Sequence, residues 1–461
     1  MTDLDPGTLI LLCSLIWGGL VVHAVHGLSD RAHGTTGIPF AFIGIYTAMH
    51  IGALVHLVPG YDHTLDPGLA SWQYTRDTVG LGLEASTLAM IAATIGFSLA
   101  ETLATRFRRP PKLDARALER LLGAGKVMLA AGTAGLAVEK ILDLFGIDAP
   151  GLQAILGNAR NLIVAAGGCI VLHQALTGKS TRAMILAAAF AIALPAVYLI
   201  TTAILADSIC AGMACFAFYL TIRSQTGSVY LGNLAIVALL FVSGFVFSAA
   251  YLENRDALRD ILWKGGSVGT AAGQVADVAG KYDVGNATQL AALYAFDSRL
   301  DQNIFVGLAI EKLRTLPDTY ENGDTIVLAL LGWVPRFMWP GKPERGGSTL
   351  IEKHTTKRTD GGTTFGAGPI FEFYVNFAYW GVFFGFVVLG LITRLFDIKA
   401  ARALSRSQHA GFAPFYLAGL AMLQPLADLF FIVTSVVAAL LVGWAIGQVL
   451  GQPGVRRAMA G

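Results

Sequence analysis

Apolar runs of about 20 residues recur along this chain, and no other feature restricts its fold as much. A run of that length crosses the hydrocarbon core of a bilayer as an α-helix. Lipid offers the backbone no hydrogen-bond partners, so a spanning segment must satisfy its own as a helix or within a closed barrel. No barrel-type alternation runs through the sequence. The fold class is therefore an all-α polytopic membrane protein. Composition agrees. Of 461 residues, 54% are hydrophobic and only 14% charged, against about a quarter charged in soluble domains. The mean hydropathy is +0.60.

Spans are predicted near 8–27, 38–58, 78–104, 121–145, 151–176, 183–200, 202–222 and 230–250, with three more near 370–395, 412–430 and 432–450, about 11 in all. The run from 183 to 222 is too long for one crossing, and Pro195 would kink or break the first of its two helices. The N-terminus, Met1-Thr-Asp-Leu-Asp5, lacks the positive region of a signal peptide, so the first run is expected to be a retained span. Asp3 and Asp5 read as a solvated tail rather than a metal pair. The four cysteines, Cys13, Cys169, Cys210 and Cys215, all fall in apolar runs without zinc-ligand spacing and read as buried small hydrophobes.

Positive charge orients the chain. Arg106, Arg108, Arg109, Lys112, Arg116 and Arg120 follow the third span. Lys179, Arg182 and Arg223 lie in other short links, Arg394, Lys399, Arg402 and Arg406 in a later one, and Arg456 and Arg457 in the tail. All fall on one side, the cytoplasm, if the N-terminus is outside. Acidic links near Asp62, Asp66 and Asp148 then fall outside. The fourth span is weakly apolar, because it holds Lys126, Glu139 and Lys140.

The expected organisation is one transmembrane domain, 1–461, with one large, partly helical periplasmic loop from about 251 to 369. That loop opens polar and rich in Gly and Ala from Glu253 to Asn286. It then reads as a helix from Thr288 to Leu316, with Leu293, Leu300, Ile304 and Leu308 at helical spacing. Arg299, Gln302 and Asn303 would share a polar sector flanked by Asp297 and Asp301. Ile326 to Trp333 is apolar but too short to span, so it would dip into the membrane or rest on it. Next comes Trp333-Val-Pro-Arg-Phe-Met-Trp-Pro-Gly-Lys-Pro343, in which three prolines fix an extended backbone around Arg336 and Lys342. Arg345 follows, in a Gly/Thr/Lys-rich loop over 344–369 expected to be mobile. Rings beside cations suit an interfacial anchor. They also suit sugar faces stacked near a phosphate held by guanidinium.

Phosphate-linked chemistry at a membrane needs fixed cations at the leaving group and a base at the attacking hydroxyl. Arg299, Arg336, Lys342 and Arg345 are candidate cations; Asp297, Asp301, Glu372 and His354 are candidate bases. Glu372 sits among apolar and aromatic neighbours at the start of a late span, where burial would raise its pKa; a helix-start carboxylate favoured by the dipole is the alternative. Glu84, Arg160 and Asp207 lie inside predicted spans, and Arg160 either pairs with an acid or reaches a lipid phosphate. Gly123-Ala-Gly-Lys126 is no phosphate loop, since the Ser/Thr after Lys and the preceding strand are missing. Asn286-Ala-Thr288 fits a glycosylation acceptor only in a compartment that uses it. Basic residues are scattered, which argues against nucleic acid. No internal repeat is evident, which disfavours inverted-repeat transporters.

Three stretches together resemble the bacterial oligosaccharide repeat-unit polymerases, the Wzy-type O-antigen and exopolysaccharide polymerases. They are Ser298-Arg-Leu-Asp-Gln302, Pro335-Arg-Phe-Met-Trp-Pro-Gly-Lys-Pro343 and Phe371-Glu-Phe-Tyr-Val-Asn-Phe-Ala-Tyr-Trp-Gly381. In that family the last stretch commonly carries Gly where Ala378 stands and a small residue where Phe371 stands.

The resemblance implies a GT-C-like membrane glycosyltransferase in the bacterial inner membrane with its active site facing the periplasm. The enzyme would transfer an undecaprenyl-pyrophosphate-linked glycan onto a lipid-linked acceptor, lipid pyrophosphate leaving. Arg336 and Arg299 would bind pyrophosphate, with Lys342 and Arg345 assisting. Glu372 would take the acceptor proton or position that sugar. Trp339 and Tyr374 would stack on sugars, and Gln302 and Asn376 complete the substrate site. No metal or cofactor is required by this scheme, and a chain-length regulator is a possible partner. An O-antigen ligase-like enzyme shares the same donor. A lipid-linked glycan flippase or transporter would instead line a central cavity with charge. An exosortase-like peptidase would need a cysteine near the outer face, where none stands.

Overall fold

The computed structural model describes residues 4–29, 32–104, 115–145, 150–202, 205–226, 269–270, 273, 290–334, 338–341, 347–357 and 366–452. The described residues are helical throughout, without a β-strand. In chain order the helices are α1 (Pro6–Gly27), α2 (Ile38–His50), α3 (Pro67–Ala70), α4 (Arg76–Leu103), α5 (Ala115–Leu144), α6 (Pro150–Leu176), α7 (Ser180–Thr202) and α8 (Leu205–Thr226). After them come α9 (Leu290–Leu300), α10 (Asn303–Thr315), α11 (Asp324–Leu330), α12 (Gly347–His354), α13 (Gly368–Ser405), α14 (His409–Ala421) and α15 (Leu429–Gly451). A 3₁₀ segment, Ile51–Leu57, prolongs α2.

Among the described residues, eight helices are long and apolar enough to cross a membrane: α1, α2 with its 3₁₀ extension, α4, α5, α6, α7, α13 and α15. Large apolar side chains stand exposed on several of them, such as Ile192 at 73% and Trp380 at 71%. A soluble monomer rarely leaves so much apolar surface in water, and lipid accounts for it.

The predicted span at 230–250, and the polar stretch 253–286 apart from residues 269–270 and 273, lie outside the described residues. The predicted span 412–430 is not one helix. α14 ends at Ala421, and residues 422–428 turn before Asp428 caps α15 by accepting the Phe431 N–H (2.8 Å). The predicted pair within 183–222 is observed as α7 and α8. α7 runs unbroken through Pro195, whose ring packs on Gly212 of α8. The basic link containing Arg394 is also shorter than expected, because α13 continues to Ser405.

α4 is the centre of the packing, with α1, α10 and α13 all lying against it. Threonines form its N-terminal capping box, Thr75 with Thr78. Close approach to α10 is possible because two glycines face it. A Cβ at Gly82 would lie 1.9 Å from the Asn303 carbonyl oxygen, and one at Gly307 would lie 1.9 Å from that of Thr78. α10 was expected within a periplasmic loop. Instead it is buried on nearly every side from Asn303 to Ile310 and shares one hydrophobic core with the spans.

The helices alternate in direction, so the molecule has two ends. Residues 5–7, 50–78, 297–332, 347–357, 366–376 and 422–431 gather at the first. The turn 32–37, the C-terminal parts of α4 and α13, and the start of α14 gather at the second. There the buried Arg394 donates to Glu101 (2.9 Å), Asp397 (2.5 Å) and the Gly34 carbonyl (3.0 Å). Asp397 in turn accepts from the N–H (2.7 Å) and hydroxyl (2.6 Å) of Thr36. This network makes Arg394 a structural clamp on the turn.

Candidate functional site at the first end of the bundle

Two polar clusters occupy the first end. One is built on the start of α13. That helix is in fact two, broken at Phe377 (φ −143°, ψ 29°) and Ala378 (φ 50°, ψ −145°). Its first half carries Glu372, Tyr374 and Asn376, all buried. Glu372 Oε2 accepts the N–H of Leu429 at 2.6 Å, the first residue of α15. A carboxylate at a helix N-terminus satisfies an orphan donor and favours the positive end of the dipole.

Asn376 holds the preceding loop. Its Oδ1 accepts from the Gly323 N–H (2.8 Å), while its Nδ2 donates to Thr325 Oγ1 (2.7 Å) and to the Glu372 carbonyl (2.7 Å). The Glu321 N–H donates to the Val375 carbonyl (2.9 Å). Residues 321–325 are thus docked on the first half of α13 and lead through α11 to Trp333. The apolar segment 326–333 begins in α11, and Val327, Leu330, Leu331 and Trp333 along it are exposed, as in a segment resting on a membrane.

Glu321 also bonds His354 Nε2 (2.6 Å) and Lys353 Nζ (2.7 Å). Partial burial raises the Glu321 pKa, but those two bonds outweigh it and hold the carboxyl below its ordinary value. Burial pushes the His354 imidazole down, against the pull of Glu321. Tyr374 is buried, its ring edge-on to Tyr379 at 5.3 Å, and so presents no open face for a sugar. Trp339 is half-buried beside the exposed Met338. Arg336, Lys342 and Arg345 lie outside the described residues.

The other cluster forms where the predicted helix Thr288–Leu316 proves to be two. The chain breaks at Asp301 and Gln302, so Arg299, Gln302 and Asn303 do not share a helix face. Arg299 ends α9, half-buried. Gln302 donates its N–H to the Met49 carbonyl (3.1 Å). Asn303 is buried, its Nδ2 donating to the His50 carbonyl (3.0 Å) and to Asp301 Oδ1 (2.7 Å). Asp297 and Asp301 are not on the surface beside a polar sector. Both are buried and face His56, whose Nε2 is 3.0 Å from Asp297 Oδ1 and 4.0 Å from Asp301 Oδ2.

Tyr61 and Tyr74 each donate to Asp297 Oδ2 at 2.5 Å. Burial and the Asp297 charge push both phenols up, which keeps them protonated donors. Burial, and then the Asp297 carboxylate, pushes Asp301 well above the ordinary carboxylate range. Gly52 makes room for this corner, since a Cβ there would sit 2.7 Å from both the Asp301 N and Cβ. These three residues, His56, Asp297 and Asp301, are the ones among those described that could jointly ligate a metal ion.

Two of the intramembrane charges have polar partners. Arg160 lies 3.2 Å from Glu139 and over the Tyr198 ring at 5.3 Å, which answers the choice between an acid and a lipid phosphate in favour of the acid. Glu84 accepts from the Tyr379 hydroxyl (3.4 Å). Asp5, read as a solvated tail, caps α1 by accepting the Thr8 N–H (3.1 Å). The cysteines are free and buried or half-buried, as expected.

Sequence reasoning missed His56, Tyr61 and Tyr74, and also Arg314, which lies within electrostatic reach of Tyr374 and Tyr379. His56 and Asp297 are 241 positions apart, and nothing local in the chain announces their meeting. Comparison with protein families, curated proteins and solved structures finds no match to this chain.

Proposed function

We propose that this chain is a membrane glycosyltransferase that joins lipid-pyrophosphate-linked oligosaccharide repeat units at the outer face of the bacterial cytoplasmic membrane. The supporting observation is that one stretch carrying the family resemblance anchors the segment just upstream of another. Asn376, in the Glu372–Gly381 stretch, hydrogen-bonds Gly323 and Thr325, and that loop runs through α11 into the proline-framed stretch. Asn376 thereby fixes the segment that leads in sequence to the proline-framed stretch.

In this reading the acceptor hydroxyl attacks C1 of the donor's first sugar. The C1–O bond to the lipid pyrophosphate breaks and its electron pair leaves with the phosphate. Arg336 and Arg299, with Lys342 and Arg345, stabilise that charge. The hydroxyl proton passes to a base. Glu372 takes it or positions the acceptor, and two substitutions separate those roles. Glutamine at 372 still accepts the Leu429 N–H but takes no proton; alanine does neither.

The test is the surface polysaccharide ladder of a deletion strain complemented with each variant at matched membrane levels. Arg336→Ala is expected to leave single-unit products, and a full-length ladder would sink the proposal. A ladder kept by Glu372→Gln but lost by Glu372→Ala assigns positioning; loss in both assigns the base.

A further inference from the structure

We propose that His56, Asp297 and Asp301 bind a divalent transition-metal cation, Zn²⁺ or Mn²⁺ in class, at the first end of the bundle. The site stands whether or not the glycosyl-transfer reading holds.

One oxygen of each carboxylate faces His56. Asp297 gives Oδ2 to two phenol donors, Tyr61 and Tyr74, and turns Oδ1 to His56. Asp301 gives Oδ1 to the Asn303 N–H (3.1 Å) and amide (2.7 Å), and turns Oδ2 to His56. Each carboxylate is thus fixed by one oxygen and presents the other. Ligating carboxylates are held this way in metal sites, where hydrogen bonds from neighbouring groups orient them.

The second observation is that Asp301 Oδ2, on a residue 2% exposed, has no hydrogen-bond partner. Asn303 Oδ1, on the residue that holds Asp301, is likewise buried and unpartnered. A buried polar atom left without a partner loses its hydration uncompensated.

Charge points the same way. Among the described residues, neither Asp297 nor Asp301 is paired with a lysine or arginine, and the imidazole is their one candidate counter-charge. Two buried carboxylates beside a single imidazole leave the corner short of positive charge, which a divalent cation supplies.

Distances permit it. Ligands bound to one cation at about 2.0–2.2 Å lie roughly 3–3.5 Å apart. The two imidazole–carboxylate separations are 3.0 and 4.0 Å, and all three ligand atoms lie within 4.8 Å of one another. A mixed set of one imidazole nitrogen and two carboxylate oxygens favours Zn²⁺ or Mn²⁺ over Ca²⁺ or Mg²⁺. The cation would tie three segments together: the 3₁₀ extension of α2, the stretch 58–75 through its tyrosines, and the α9–α10 break.

The test uses full-length protein in detergent, stripped with EDTA and titrated with Zn²⁺, with Mg²⁺ as the comparison. The expected result is one Zn²⁺ retained per chain and a melting temperature that falls on stripping and recovers on refilling. His56→Gln and Asp301→Asn should each weaken binding at least ~100-fold, and Tyr61→Phe about 10-fold, through loss of support to Asp297. Co²⁺ in place of Zn²⁺ should give visible bands that both ligand variants abolish. The proposal is overturned if folded wild type keeps no stoichiometric Zn²⁺ and EDTA leaves its melting unchanged; a shared proton then neutralises the pair. It is also overturned if folded ligand variants bind as wild type does, because the ion then sits elsewhere. If the variants do not fold, the wild-type stripping and refilling measurement decides alone.

Discussion

Ala378 has φ 50° and ψ −145°, a backbone conformation that an L side chain adopts only under strain. Glycine, which lacks a Cβ, adopts such a conformation at little cost. The break at Ala378 separates the buried half-helix bearing Glu372 and Asn376 from the long helix that follows. Ala378→Gly should therefore raise stability by about 1 kcal/mol, the relieved strain exceeding the added freedom of the unfolded chain. Thermal melting in detergent reads it, and a lower melting temperature would mean that the break is unstrained.

The Glu321–His354 pair makes a second residue-scale prediction. His354 is held below its ordinary 6.5, so the fold favours the neutral ring. Its stabilising share is complete above pH 6.5 and is lost as pH falls from there through the lowered value. Glu321, held below its ordinary 4.5, keeps its share until pH falls below 4.5. Melting temperature should decline between pH 7 and 5, and His354→Gln should flatten that decline. An unchanged slope in the variant would remove His354 as its source.

At the scale of elements, the α4–α10 contact is the joint on which the first end depends. Gly307→Ala places a methyl 1.9 Å from the Thr78 carbonyl oxygen, where neither backbone can yield. A loss of at least about 3 kcal/mol is expected. Gly18→Ala, with nothing within 4 Å, is the matched control and should be near neutral. Equal melting of the two variants would show that α10 does not pack on α4 as described.

That contact also marks where the sequence stopped being informative. Helical spacing from Leu293 to Leu308 is real, and both α9 and α10 exist. The break between them arises because Asp301 uses its own side chain to take the Asn303 N–H, which competes with helix continuation. Asp followed two residues later by Asn was a usable signal of a cap, outweighed by the apolar period. The burial of α10 was not legible. Its polar ends read as surface, and only the facing glycines, far apart in the chain, reveal that it sits in the core. In the same way the bond from Glu372 to the start of α15 was not legible, because 57 residues separate it from Leu429.

For the whole molecule, the alternation of helices makes a claim that one experiment can test. Both polar clusters and residues 347–357 share the first end. The second end carries Lys179, Arg223, Arg402 and Arg406, and by the bias of positive charge it should face the cytoplasm. The four native cysteines are free and at least half-buried, so replacing them by alanine gives a clean background. Single cysteines can then be placed at Leu65 and Thr349 at the first end, and at Gln408 at the second, all exposed. A membrane-impermeant maleimide on intact cells, or on spheroplasts where an outer membrane blocks access, should label Leu65→Cys and Thr349→Cys. Gln408→Cys should react only after the cytoplasmic membrane is opened. Opposite sidedness for Leu65→Cys and Thr349→Cys would break the shared first end, and with it any single site built from both clusters. Labelling of Gln408→Cys alone in intact cells would invert the chain, placing the clusters in the cytoplasm. Nucleotide sugars are available there, so the site would no longer need a lipid-linked donor.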